Sequence, residues 1–329
     1  FTSGSTGKKK GVCISNKGLS SYINSIKKKF SLKRKPKSLI ISGEMTFDIT
    51  IADLVFAFVY GSQIILTNKS QNFIGLLSMI KKNEVESIYL VPSALNKFLE
   101  FSKKIGLNNL NSIKQINLGG ERFNIELLFK IKKCFKKVKV YNFYGPTEFT
   151  VNSMCHEVDM KKNYNEIPIG KPLNGINAKV VENELHLSGN QIMLGYVNYK
   201  NSFKKINNNN YYATGDIVKI NKNKEFIFKS RNKDYIKLDG YRINLLRIES
   251  IIYKYLLIPI KLIIYKNKII MFVEKNIKRK KLLTSKINSI FTMYLDKYEQ
   301  PSSILYKEKF PLLESGKVDV NKLLMNLKI

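Results

Sequence analysis

Apolar residues in the first half of the chain alternate between two spacings, one that fits a strand and one that fits a helix. Leu19, Tyr22, Ile23, Ile26 and Phe30 recur at helical spacing behind Ser15 and Asn16, which predicts a helix over 16–30 capped by either of them. Short apolar runs predict strands at 38–42, 63–67, 87–91, 113–118 and 138–143. Helical patterns separate them at 49–60, 74–82, 93–104 and 125–134. Alternation of this kind predicts a doubly wound α/β sheet, whose ligands bind beyond the carboxyl ends of the strands. Gly119-Gly120-Glu121 and Tyr144-Gly-Pro-Thr-Glu148 both fall at such ends, which would gather two sharp turns, a ring and two carboxylates at one crevice.

From about Ile167 the pattern shortens to β segments at 178–181, 184–187, 211–213, 217–221 and 225–228, a small β subdomain with a surface loop at 207–210. A further α+β unit begins at Ser230, with helices at 246–255 and 281–294 and a terminal basic turn. Two domains are therefore expected, 1–229 and 230–329, the second large enough to fold alone.

Composition narrows the class. At 44% hydrophobic and 11% aromatic residues the chain is that of a globular protein. No apolar run reaches the roughly 18 residues that span a bilayer; the best, 49–60, is interrupted by Asp53. No membrane insertion and a cytoplasmic location are expected. Cys13, Cys134 and Cys155 are scattered, which argues against a disulfide framework or a zinc site. The net charge of +32 raises a nucleic-acid partner. Only six of the 57 basic residues are arginine, however, and the lysines are spread along the whole chain. That pattern fits solvated faces better than a reader of bases, so no nucleic acid is expected. An acidic macromolecular partner fits the charge.

The densest chemical signal is the first stretch, Phe1-Thr-Ser-Gly-Ser-Thr-Gly-Lys-Lys-Lys-Gly-Val12. Glycines let backbone N–H groups converge on an anion, hydroxyls add donors and lysines add charge, as in a loop around a polyphosphate. Its spacing is not that of a Walker-type loop, and a flexible Gly/Ser linker is the plainer alternative. The chain opens inside this loop without a methionine, as expected of a fragment. Asp48, at the mouth of the apolar helix, either caps it or faces a pocket and binds a cation; the residues alone favour the cap.

The loop, Phe47-Asp48, Gly119-Gly-Glu121, Asn142-Phe-Tyr-Gly-Pro-Thr-Glu148, Ala213-Thr-Gly-Asp216, Ser230-Arg231 with Lys237 and Gly240-Tyr-Arg242, and Ser315-Gly-Lys317-Val-Asp319 occur in this order. In order and spacing the set resembles the adenylate-forming enzymes: acyl-CoA synthetases, nonribosomal peptide synthetase adenylation domains and luciferase. The likeness runs nearly the whole length, is nearest to the amino-acid-activating branch, especially D-alanine–D-alanyl carrier protein ligase, and lacks the family's N-terminal core portion. It implies a mobile C-terminal lid and two half-reactions, formation of an aminoacyl-AMP from ATP with Mg²⁺, then transfer to a phosphopantetheine thiol.

The resemblance also implies roles. Thr2, Ser3, Gly4, Ser5, Thr6, Gly7 and Lys10 would hold the β- and γ-phosphates, with Gly120 and Glu121 among the nucleotide contacts. Tyr144 would stack on adenine, Thr147 contact the α-phosphate, Glu148 coordinate Mg²⁺, and Asp216 bind the ribose with Arg231 assisting. Asp48 would pair with the substrate α-ammonium beside Gly119, Gly120 and Phe143, with Asn117, Ile49, Ala52 and Val151 nearby. Lys317 would be the catalytic lysine, Lys233 the hinge, and Gly240 would line the thiol's approach. Departures include Lys9 for the loop's proline, Ser230 for a glycine, Asn244 and Arg247 for acidic residues, and Gly119 where D-alanine ligases carry cysteine. A monomer acting on a separate acidic carrier protein is expected. An acyl-CoA or aryl-acid synthetase is the alternative, and a basic nucleic-acid-binding protein the remote one.

Overall fold

In the computed structural model the described residues are 2–3, 9–30, 35–43, 47–67, 73–106, 110–197, 204–206, 209–231, 235–238, 241–266, 268–274, 280–313 and 318–325. The chain divides into two units, residues 1–229 and 230–329.

The first unit opens with β1 (Thr2–Ser3) paired antiparallel to β2 (Lys9–Lys10), followed by β3 (Val12–Cys13). Ser15 caps α1 (Asn16–Lys29), its Oγ accepting the Gly18 N–H at 2.9 Å. Then come β4 (Ser38–Ile41), α2 (Asp48–Tyr60), β5 (Gln63–Leu66), α3 (Phe73–Lys82), β6 (Ser87–Leu90), α4 (Pro92–Lys104), β7 (Gln115–Leu118), α5 (Ile125–Cys134) and β8 (Lys139–Tyr144). These bounds lie within two residues of those predicted.

One sheet collects the strands in the order β10-β9-β8-β7-β6-β4-β5, where β9 is Met154–Val158 and β10 Lys171–Pro172. Strands β4 to β8 run parallel; β9 and β10 add an antiparallel edge. Because strand side chains alternate, the sheet feeds two cores. Leu39, Ile41, Tyr89, Tyr141 and Phe143 pack with residues of α1 and α2, whereas Ile40, Ile88, Ile116, Leu118 and Val140 pack with residues of α3, α4 and α5. Both faces are thus covered, as a parallel sheet requires. The antiparallel edge was not predicted, since His156 and Glu157 break its apolar run.

The β subdomain comprises β11 (Ile176–Val181), β12 (Glu184–Gly189), β13 (Gly195–Tyr196), β14 (Lys204–Ile206), β15 (Asn209–Ile220) and β16 (Phe226–Arg231). Its sheet runs β11-β12-β15-β14, with β16 on β15, while β13 pairs back to β3. Two expectations are corrected here. Asn209 and Asn210 begin β15 rather than forming a surface loop, because Asn209 and Asn210 pair with Ile206 and Lys205. Segments 211–213 and 217–221 are one strand continuing through Thr214-Gly215-Asp216, where Gly215 absorbs the kink at φ 73°. The subdomain is joined to the edge of the large sheet. Ile169 N–H donates to Phe226 O and Phe226 N–H to Gly170 O, both at 2.8 Å, and His156 Nδ1 meets Glu225 Oε1 at 2.7 Å. Burial pushes the His156 imidazole pKa down, against the pull of Glu225.

In the second unit β17 (Tyr235–Leu238) and β18 (Tyr241–Asn244) form an antiparallel pair that feeds α6 (Leu245–Leu256). Asn244 is the cap, accepting the Arg247 N–H at 2.8 Å, and Arg247 pairs with Glu299 at 2.5 Å. The two departures from acidic residues thus have local structural uses. Next are β19 (Ile260–Tyr265), β20 (Lys268–Glu274), α7 (Lys280–Tyr294), β21 (Ser303–Lys307) and α8 (Val320–Met325). Strand β20 lies between antiparallel β19 and parallel β21. The stretch predicted as a terminal basic turn therefore holds a strand and a helix. Among the described residues no helix is long and apolar enough to cross a membrane.

Candidate active site

The site begins where β8 ends. A side chain at Gly145 would put its Cβ 1.9 Å from the Val151 carbonyl oxygen, so only glycine permits the chain to fold back this closely. The return passes through a short 3₁₀ turn, Thr147–Phe149, then through Thr150 and Val151 at φ 51° and 66°. Left-handed backbone at a β-branched valine costs about 1–3 kcal/mol, and surrounding bonds must hold it. Ser153 N–H donates to Tyr144 O at 2.7 Å, Thr150 Oγ1 to Gln191 O at 2.6 Å, and buried Gln191 Nε2 to Asn152 O at 3.0 Å.

Three side chains of this turn bond to three distant elements. Tyr144 OH donates to Asp216 Oδ2 at 2.5 Å, across to β15. Thr147 Oγ1 donates to Asp48 Oδ2 at 2.5 Å, at the start of α2. Glu148 Oε1 accepts the Tyr196 hydroxyl at 2.6 Å, from β13. Four expected site residues, Tyr144, Thr147, Glu148 and Asp216, are so gathered with Asp48 around one loop. Asp48 is not the cap that its position favoured. Phe47 holds the cap position, and Asp48 is the first residue of the helix with its carboxylate turned to Thr147. It still lies where the helix dipole favours an anion.

The second turn lies beside it. Gly120 sits at φ 79°, and a Cβ there would meet Ile49 Cδ1 at 3.3 Å. At Gly119 a Cβ would meet the Tyr89 hydroxyl at 2.6 Å and Phe143 O at 3.3 Å, so Tyr89 fills the space a cysteine would take. Glu121 accepts the Ser93 N–H at 3.0 Å, the first turn of α4, which gives it a capping use besides any nucleotide contact. Phe143, Ile49, Ala52, Asn117 and Val151 are buried near these turns. The Tyr89 hydroxyl donates to Asn152 Oδ1 at 3.0 Å, and Asn152 Nδ2 to the Tyr22 hydroxyl at 2.8 Å. Burial pushes both tyrosine pKa values up, Asp53 and Asp48 adding to the effect. Asp53, 3% exposed, has an Oδ2 without a hydrogen bond, and burial raises its carboxyl pKa well above the ordinary range.

Sequence reasoning missed Tyr22, Tyr89, Asn152, Gln191 and Tyr196, whose partners are far away along the chain. Of the expected residues, Gly4, Ser5, Thr6, Gly7, Lys233, Gly240 and Lys317 lie outside the described residues. Thr2 and Ser3 are described only as backbone of β1. The Lys10 ammonium lies 5.3 Å over the Tyr196 ring, and Arg231 is exposed at the end of β16.

Residues 1–197 match the AMP-binding enzyme family. The chain belongs to that family. Its members include the adenylate-forming enzymes that the motifs resemble. Among relatives, bacitracin synthase 3 of Bacillus licheniformis is 26% identical over 98% of this chain and 5% of its own length. Gramicidin S synthase 2 of Aneurinibacillus migulanus is 27% identical over 97% of this chain and 8% of its own. The chain thus spans a small part of these relatives. The o-succinylbenzoate coenzyme A synthetase of Bacillus subtilis, solved with ATP and magnesium ion, shares the fold: TM-score 0.73, 21% identity, 98% of this chain and 68% of that one. For a magnesium ion the donor chemistry here fits. Among the described residues no group of three or more His, Cys, Asp or Glu forms a cage. Glu148 offers a single carboxylate, with Tyr196 on one oxygen. Magnesium is commonly bound that way, by one or two carboxylates, substrate phosphates and water.

Proposed function

We propose that this chain is part of an ATP-dependent, AMP-forming ligase that activates an amino acid and passes it to the phosphopantetheine thiol of a carrier. The observation that carries the reading is Asp48, a carboxylate at the N-terminus of α2, bonded to Thr147 and beside the Gly119–Gly120 turn. A substrate α-ammonium needs such a counter-charge, whereas an acyl or aryl acid without an amine has no use for it. In the first half-reaction the substrate carboxylate attacks the α-phosphorus of ATP, forming aminoacyl-AMP and releasing pyrophosphate. Charge building on the α-phosphate oxygens calls for positioned donors and cations. Thr147 is suited to the α-phosphate, Glu148 to Mg²⁺, which supplies charge neutralisation on the phosphates, and Tyr144 and Asp216 to adenine and ribose. Lys317 on the second unit is assigned the catalytic ammonium and Lys233 the hinge, with thiol transfer following lid rotation.

The test is amino-acid-dependent exchange of pyrophosphate into ATP by the full-length protein, across a panel of D- and L-amino acids that includes D-alanine. Exchange with an amino acid, abolished by Asp48→Ala, supports the reading. No exchange above a substrate-free control sinks it. Likeness in fold to a coenzyme A synthetase keeps an aryl or acyl acid as the second reading. Activity unchanged in Asp48→Ala would favour it. Lys317→Ala should suppress adenylate formation while ATP still binds.

A further inference from the structure

Strand β13 touches both halves of the candidate nucleotide site. On one edge it pairs with β3, Gly195 opposite Cys13 and Tyr196 opposite Val12. Leu194 N–H donates to Cys13 O at 2.8 Å and Val197 N–H to Gly11 O at 2.9 Å. Cys13 follows directly on the stretch 1–12, which the proposed function assigns to the ATP phosphates. On the other side Met193 N–H donates to the Glu148 carbonyl at 2.9 Å, and the Tyr196 hydroxyl donates to Glu148 Oε1 at 2.6 Å. The same ring carries the Lys10 ammonium over its face. A glutamate has several rotatable bonds, and presenting one oxygen to a cation costs side-chain entropy. A phenol bonded to the other oxygen removes that freedom beforehand.

We propose that Tyr196 is a positioning residue that holds the Glu148 carboxylate for a divalent cation and couples it, through β13, to β3. The proposal rests on the adenylation reading for the presence of a nucleotide and its metal. Tyr196 touches neither the reacting atoms nor the cation; it acts through Glu148. Partners that orient a metal-binding carboxylate commonly govern metal affinity by about 10–100-fold.

The test uses the full-length protein and Tyr196→Phe, which removes the hydroxyl and keeps the ring beneath Lys10. Calorimetry measures binding of a non-hydrolysable ATP analogue at increasing Mg²⁺, and again in chelator. The variant is expected to need about tenfold more Mg²⁺ to reach half of the metal-dependent gain in nucleotide affinity, with metal-free nucleotide binding unchanged. An unchanged Mg²⁺ midpoint overturns the proposal, and so does an equal loss of affinity with and without metal. A wild-type protein that binds no nucleotide in either condition overturns the adenylation reading and this proposal with it. A second measurement needs no variant. Exchange of the Met193, Leu194 and Val197 amide hydrogens in the wild-type protein should slow when Mg²⁺ joins the analogue, beyond the effect of the analogue alone. Equal protection in both conditions counts against the coupling.

Discussion

Asp53 provides a quantitative test of the core beneath the site. Its carboxyl is 3% exposed, Oδ2 has no hydrogen bond, and burial raises its pKa well above the ordinary value. In the unfolded chain an aspartate ionises near pH 3.9. Folding above that pH therefore takes up a proton at Asp53. The stability this group contributes is fully present below the unfolded value and is lost as pH rises toward the raised folded one. Within that window the slope is about 1.4 kcal/mol per pH unit for one proton. An asparagine side chain at this position would keep the shape and carry no titration. The perturbation is thus Asp53→Asn, and the assay is urea unfolding of both proteins followed by circular dichroism at about pH 5 and about pH 6. At equal pH every other group cancels in the difference. The variant should gain on the wild type as pH rises between the two conditions, by at most the one-proton limit of about 1.4 kcal/mol, whatever its constant offset. Parallel stability profiles would refute the claim that this carboxyl is buried neutral.

Other substitutions probe the turn and the second unit. Gly145→Ala should prevent the return of the chain after β8, because its Cβ falls 1.9 Å from Val151 O; a soluble variant with intact nucleotide binding in calorimetry would contradict that geometry. Gln191→Ala removes the side-chain amide bonds to the Thr150 and Asn152 carbonyls in the left-handed turn, so thermal unfolding should show a loss of about 1–3 kcal/mol. Asn244→Ala removes the cap of α6 and should cost about 1 kcal/mol in urea unfolding of the second unit, whereas Asn244→Asp should recover most of it.

Much of the wound sheet was legible because its signals are local. The strand at Ser87–Leu90 and the helix at Ile125–Cys134 announce themselves by continuous or periodic burial, and Ser15 by its cap chemistry. Antiparallel β9 was not, since two polar residues sit inside its run. Strand β15 reads as two segments in sequence because Thr214-Gly215-Asp216 looks like a turn, although β12 pairs on either side of it, His186 with Ala213 and Glu184 with Ile217 across a register shift. The candidate site divides in the same way. Tyr144, Thr147, Glu148, Asp48 and Asp216 occur in recognisable motifs. Tyr196, Gln191 and Asn152 do not, for each acts on a residue 39 to 63 positions away and nothing near it in sequence hints at the partner. At Asp48 the neighbouring residues alone favour a cap, because an acid before an apolar helix ordinarily caps it, whereas Phe47 holds that position. The bond to Thr147, 99 positions on, lies beyond local reasoning.

The join between the large sheet and the β subdomain bears on how a bound nucleotide would leave. Tyr144 belongs to the sheet and Asp216 to the subdomain, yet Ile169, Gly170 and His156 fasten the two bodies together through Phe226 and Glu225. Prying them apart would break those backbone bonds and expose a buried imidazole–carboxylate contact. If Tyr144 and Asp216 wall the nucleotide as proposed, that wall is a fixed jaw. Traffic of ligand past it has to be timed by segments outside this pair, and an exit rate insensitive to strengthening the His156–Glu225 contact is the kinetic signature of such an arrangement.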